Sequence, residues 1–253
     1  MRRAALEAAV AARRERRPAV VLTPLGGAPA IVWSPGQGDD LASDLREAVA
    51  RALATDEAFT LERPDGPVFV QPMNPPLRLA IVGAVHVAEP LSAFAVVLGY
   101  DVTIVDPRRA FARAERWPDR VAVRAEWPDE ALATMRLDRR AAVVALTHDP
   151  KIDDPALLAA VRTPAFYVGA LGSRKTHASR LRRLAQAGVA PADLERIHGP
   201  VGLAIGARSP GEIAVSIVAQ MTQALRCGAQ ATAAAQAAGA PAAPAGAAPG
   251  AAG

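Results

Sequence analysis

The 253-residue chain is poor in the residues that mark several protein classes. It has one cysteine, Cys227, so it can build neither a disulfide of its own nor a cysteine-based zinc site. Aromatic residues make up 4% of the chain, and no basic block alternates with them, which argues against stacking on nucleic-acid bases. No apolar run reaches the length of a membrane span. The N-terminal "MRRAALEAAVAARRERRPAVV" has no apolar core of signal-peptide length before its basic cluster. These absences lead us to expect a reduced, cytoplasmic setting with no membrane and no nucleic-acid partner. There is no Walker motif, no nucleophile elbow and no convincing metal-ligand spacing. Lysine is nearly missing too: of 29 cations, only Lys151 and Lys175 are lysine.

What is present is a chain that is 51% apolar, enough for a substantial core, with a formal charge of +4 that suits anionic partners. Three regions differ in pattern. Residues 1–75 read as a small α/β domain: a helix over 3–16, a hairpin around Gly26-Gly27, an amphipathic helix with Leu41, Leu45, Val49 and Leu53 on one face, and a second strand pair. "PMNPP" at 72–76 is incompatible with helix or central strand and marks a boundary. Residues 76–227 then alternate strand and helix with unbroken apolar strands, the pattern of a Rossmann-like, doubly wound parallel sheet. The last helix opens at "SPGE", where Ser209 is the N-cap, Pro210 holds the first helical position and Glu212 closes a capping box. It is expected to end near Arg226. Residues 228–253 are Ala, Gly, Pro and Gln with a single Thr and without charge, expected to be a disordered tail whose start an alanine-rich helix could occupy.

The chemistry lies at strand ends. The first strand of the second domain ends "IVGAVHVAE", where a dinucleotide fold carries Gly-x-Gly-x-x-Gly. Gly83 is in place, but Val85 holds the position of the second glycine, where a β-branched side chain should obstruct a phosphate. Gly83 is therefore either a nucleotide turn or a plain tight turn. Asp106, in "VDPR" with Arg108, ends the second strand where an acid would bind ribose hydroxyls. In the 3-2-1-4-5 strand order, loops after neighbouring strands share one crevice. Those loops carry His86, then Thr147, His148 and Asp149, then Gly169, Gly172, Ser173, Arg174 and Lys175. In the last group, glycines allow backbone amides to turn inward, Ser173 caps a helix, and a helix N-terminus with two cations suits a phosphate or pyrophosphate. Arg180, Arg182 and Arg183 further along read as a solvated face. His177 and His198 read as surface or structural residues, and Asp153 and Asp154 as helix caps.

"IVGAVHVAEPL", "VTIVDPR", "VVALTHDPKIDDPAL", "YVGALGSRKTHASRLRRLAQAG" and "IHGPVGLAIGARSPGEIAVSIVAQ" resemble, in content and order, the XdhC/CoxI family of molybdenum-cofactor accessory proteins. The resemblance runs from about Leu77 to Leu225. It implies a small N-terminal domain beside a Rossmann domain, and a chaperone rather than an enzyme. Such a chaperone binds molybdenum cofactor (molybdopterin), assists its sulfuration, and delivers it to xanthine dehydrogenase or a related molybdenum hydroxylase. A cysteine desulfurase is the implied sulfur source, and a homodimer is allowed. Two departures stand out: Val85 where family members often have Gly-x-Gly-His, and Ala-Pro after Gly26-Gly27 where many carry Gly-Gly-Cys-x-Glu. The first puts nicotinamide binding in doubt, and the second removes a sulfur-relay cysteine. The alternatives are an NAD(P)-dependent oxidoreductase using Asp106, and an interaction protein with a disused crevice.

Overall fold

A computed structural model describes residues 3–36, 41–111 and 116–237. The chain divides into two compact units. One is built on the residues up to Pro76 together with residues from Arg226; the other runs from Leu77 to Leu225.

The first unit holds α1 (Arg3–Arg14), β1 (Ala19–Pro24), β2 (Ile31–Trp33), α2 (Ser43–Thr55), β3 (Phe59–Leu61) and β4 (Val68–Met73). Its four strands form an antiparallel sheet in the order β2-β1-β4-β3. Val20, Leu22, Val68 and Val70 alternate onto one face, where Val49 and the flanking Leu41, Leu45 and Leu53 cover them. That is the helix face expected from the leucine spacing. One expectation needs correction. Pro72 belongs to β4, a strand with neighbours on both sides, and pairs with Val20 of β1. The physical reason is the shortness of β3, whose pairing with β4 stops at Val70. At Pro72 the far side of β4 has no ladder, so the missing N–H breaks none there.

The second unit contains β5 (Arg78–Val82), α3 (Ala88–Val97), β6 (Asp101–Val105), β7 (Val121–Arg124), α4 (Pro128–Met135), β8 (Ala141–Ala145), α5 (Pro150–Val161), β9 (Tyr167–Ala170), α6 (Arg174–Gln186), α7 (Pro191–Leu194), β10 (Ile197–His198) and the start of α8 (Pro210–Ala237). Its six strands are all parallel, ordered β10-β9-β8-β5-β6-β7. The chain reverses direction across the sheet between β5 and β8, which is the switch point of a doubly wound fold. Alternate residues of each strand feed two cores. Leu79, Ile81, Ile104 and Val144 meet Leu91 of α3 and Ile217 and Met221 of α8 on one face. Ala80, Val82, Val143 and Val168 meet Leu132, Leu157 and Leu184 of α4, α5 and α6 on the other.

The start of α8 is capped as its sequence requires. The Glu212 carboxylate accepts from the amides of Arg208 and Ser209 at 2.8 Å, and the Glu212 amide donates to Ser209 Oγ at 3.3 Å. Its other end passes the limit expected near Arg226 and takes in the alanine-rich start of the tail, which is open to a helix, continuing to Ala237. Alanine has the highest helix propensity and carries the helix past Gly228. The rest of the expected tail, 238–253, lies outside the described residues.

Candidate functional site

The first turn, after β5, is closed from beneath. Gly83 has φ +105°, a backbone that favours glycine, and a Cβ there would lie 2.4 Å from Thr147 Cγ2. The loop after β8 therefore rests its methyl directly on the glycine of the loop after β5. Val85 is half-buried and packs into the core shared with α3 and α8. Asp106, at the end of β6, is fully buried. It accepts from the Ala84 amide at 2.8 Å, from the Arg108 amide and Nε at 2.9 Å, and from Arg108 Nη2 at 2.7 Å. Burial pulls its pKa up, but the Arg108 guanidinium and the two amides outweigh that and hold it below the usual carboxylate range. Arg108 also lies over the Phe111 ring, 4.6 Å from its centroid. Arg116 closes the near side, donating to Ala84 O at 3.2 Å and pairing with Glu89 in the first turn of α3. The acid expected to hold a ribose thus serves as a staple for its own loop. Asp106 therefore has no free oxygen for a ribose while Arg108 holds it. The Glu89–Arg116 pair stands at the first turn of α3, where a pyrophosphate would approach.

The loop after β8 is organised by Asp153, which is 1% exposed. Its Oδ1 accepts from the Thr147 hydroxyl at 2.6 Å and the Thr147 amide at 3.2 Å; its Oδ2 accepts from the His148 amide at 3.0 Å. These bonds hold His148 in a left-handed conformation, φ +62°, with its ring exposed. Asp149 is the N-cap of α5 and accepts from the Lys151 amide at 2.9 Å. Asp153 also faces Arg180 Nη2 at 3.4 Å, and the same nitrogen donates to Leu171 O at 2.9 Å. The Arg180 side chain is 2% exposed, and its Nε and Nη1 are buried with no hydrogen-bond partner. Reading Arg180 as part of a solvated face is therefore wrong. It lies one turn before the buried Leu184 on the inward side of α6, and that spacing is the signal in the sequence that points to it. Arg182 is exposed, and Arg183 is half-buried in a two-point pair with Asp154, at 2.6 and 2.9 Å.

The turn from β9 into α6 has the form its residues suggest. Gly172 has φ +147°, and a Cβ there would come 3.1 Å from Thr176 Cγ2 and 3.7 Å from Arg180 Nη1. Ser173 is the N-cap and accepts from the Thr176 amide at 3.1 Å. Arg174 and Lys175 are exposed; among the described residues neither has a hydrogen-bond or ion-pair partner. Beside them a hollow of about 280 Å³ is lined by His148, Pro150, Asp153, Lys175, Thr176, Ser179, Arg180 and Arg183. The loops after β8 and β9 thus bring His148 and Lys175 together, with Gly172, Ser173 and Arg174 at the adjoining turn. Thr147 and Asp149 brace the loop from behind. His86 is exposed in the turn before α3 and takes no part in the lining.

Gly169 does something other than face a ligand. A Cβ there would meet Val201 Cγ2 at 2.6 Å and the Tyr167 ring at 2.8 Å, so its role is close packing on the α8 side of the sheet. Tyr167 is buried, donates to Gln220 Oε1 at 2.5 Å, and stacks on His198 with centroids 4.7 Å apart. Burial lowers the His177 and His198 pKa values, and Arg180 and His198 push His177 down further. Among the described residues no cluster of His, Cys, Asp or Glu could hold a metal ion. No helix of the described residues is long and apolar enough to cross a membrane.

A six-stranded parallel sheet in this order, with its polar loops gathered at one end, defines the second unit as a Rossmann-type domain. Residues 79–221 match the XdhC Rossmann domain, and the chain belongs to that family. It is 31% identical over 156 residues to a Bacillus subtilis protein named as a probable xanthine dehydrogenase subunit, covering 62% of this chain and 45% of the relative. It is 32% identical over 148 residues to the molybdenum cofactor insertion chaperone PaoD of Escherichia coli, covering 58% and 40% respectively. The chain thus matches less than half the length of these curated relatives. A crystal structure described as a xanthine dehydrogenase from Bacillus halodurans aligns with a TM-score of 0.65 and 25% identity, over 88% of this chain and 64% of that one.

Proposed function

We propose that the protein is a chaperone for molybdenum cofactor. It binds the cofactor, assists its sulfuration, and delivers it to xanthine dehydrogenase or a related molybdenum hydroxylase. One observation carries this reading beyond family membership. The N-terminus of α6 presents a capped turn and two exposed cations, Arg174 and Lys175, that no carboxylate neutralises. A phosphate-bearing cargo fits that turn: the helix end and Gly172 offer backbone amides, and the cations supply whole charges. The PaoD relative, named for cofactor insertion, supports the same reading. The redox chemistry belongs to the cofactor once it sits in its client. This chain's part is to grip the anionic end and to leave the rest free for transfer.

A cysteine desulfurase is the proposed sulfur donor. The N-terminal domain has no cysteine, and Cys227, exposed on α8, matches no family motif, so the sulfur comes from the partner and not from a relay in this domain. Self-association through the apolar outer side of α3, where Phe94, Val97 and Leu98 are exposed, is proposed as well.

The test is anaerobic titration of the protein with molybdenum cofactor, in parallel with NAD(H) and NADP(H), followed by transfer to apo-hydroxylase. We expect saturable cofactor binding, no nicotinamide binding, and faster activation of the client. Tight nicotinamide binding without cofactor affinity would overturn the reading.

A further inference from the structure

The hollow beside α6 carries more than the turn that borders it. Lys175, Thr176, Ser179, Arg180 and Arg183 follow one another in steps of one and three residues and share one side of the helix, opposite His148, Pro150 and Asp153. Three of these lining residues are cations and one is a carboxylate. The carboxylate is heavily committed: Asp153 already accepts from Thr147 and His148, so it neutralises Arg180 only in part, and across 3.4 Å. The second carboxylate nearby, Asp154, is spent on Arg183.

Arg180 is the decisive residue. A guanidinium stays charged in a protein and presents donors in a fixed fork. Here Nη2 serves Leu171 O and Asp153, while Nε and Nη1 are buried with no partner. Buried donors without acceptors are rare, and leaving them so is costly. Gly172 lies beside Nη1, since a Cβ there would be in ordinary contact with it at 3.7 Å, and that Cβ would crowd Thr176 Cγ2 at 3.1 Å. The hydroxyls above can donate: Ser179 Oγ accepts from Arg183 at 3.4 Å and keeps its own hydrogen free. Lys175 and Thr176 from the first turn of α6, Ser179, and the under-used buried guanidinium of Arg180 all border one small volume.

We infer that this hollow is a binding site for a terminal phosphate monoester, with Arg180 as its floor. Three features favour a monoester over an internal diphosphate or a nucleotide. A monoester carries close to two charges and three unbridged oxygens, enough acceptors for the donors on both walls. The space, about 280 Å³, admits a phosphate and its first attached atoms. No Phe, Tyr or Trp lines it, and the His148 imidazole is the one ring it offers, so it is poorly furnished as a platform for a nucleobase. Combined with the chaperone reading, on which this last step rests, the cargo is the mononucleotide form of molybdopterin, gripped by its terminal phosphate.

The experiment uses small probes and the full chain. Calorimetric titration with inorganic phosphate and glycerol 3-phosphate should show saturable one-to-one binding, with dimethyl phosphate at least tenfold weaker. Arg180→Lys keeps the charge but loses the fork, and should weaken phosphate binding at least tenfold. If that variant does not fold, the variant Lys175→Ala, Thr176→Val, Ser179→Ala, altered only near the surface of α6, should show the same loss. Absence of saturable phosphate binding, equal binding of the diester, or full affinity in the triple variant would each overturn the site. Failure of the chaperone reading looks different: phosphate still binds, and molybdenum cofactor does not. If the cofactor binds but phosphate does not compete with it, the chaperone reading stands and this site falls.

Discussion

Asp106 shows how a side chain can keep its place in a fold and change its occupation. Its carboxylate is saturated by the Ala84 amide and three donors of Arg108. Asp106→Asn should cost about 1–3 kcal/mol, because it leaves buried donors unsatisfied. Since its folded pKa lies below the unfolded value, the stabilisation is present above the unfolded pKa and is lost as pH falls through the folded one. Urea midpoints of wild type and Asp106→Asn should therefore differ at neutral pH and converge in acid. Val85→Gly alone should leave NAD(P)H binding undetectable by fluorescence, since Asp106 remains occupied and Glu89 remains in place. His177 and His198 act with the same sign by another route. Burial favours their neutral forms, so stability should fall as pH drops through about 6.5. His198→Phe, which keeps the stack on Tyr167, should shrink the difference in urea midpoint between pH 7.5 and pH 5.5 if this account of His198 is right. At this scale the sequence is only half legible. Ser173 and Glu212 announce their bonds through local spacing. Arg180 announces its burial through its spacing to Leu184 but not its partners, and Asp106 and Gly169 announce neither, because those roles are set by residues far away in the chain.

Elements were the most legible level. Apolar runs of the length of β5, β6, β8 and β9, separated by helical periods, fix a parallel sheet, and the strand order follows from the way such units wind. Short elements escaped: β10 has two residues, α7 has four, and neither has a period to read. The end of α8 escaped because composition alone does not separate an alanine-rich helix from an alanine-rich coil. Two variants probe the elements. Ser209→Ala removes the capping-box hydroxyl and should cost about 1 kcal/mol in chemical denaturation. Gly83→Ala forces a methyl group against Thr147 Cγ2 at a positive φ and should cost about 1–3 kcal/mol for the backbone alone, with the clash added. Adding Thr147→Ser removes that methyl and should restore the clash component only; no recovery would show that the two loops do not press on each other.

For the whole molecule, the division at Pro76 and Leu77 gives two units with separate cores. The second unit carries the family match and every residue of the hollow. A fragment spanning 77–225 should unfold in a single cooperative transition and retain phosphate binding; a gradual, non-cooperative melt would show that its core depends on the rest of the chain. The bond between Ala84 and Asp106 also sets a timescale. Ala84 is a loop residue, and loop amides ordinarily exchange their hydrogens with solvent through small local openings. Its N–H points into a fully buried carboxylate at the centre of the sheet's edge loops. In heavy water that one amide should hold its proton as long as the strands on either side, marking the turn after β5 as one of the slowest places in the protein to open.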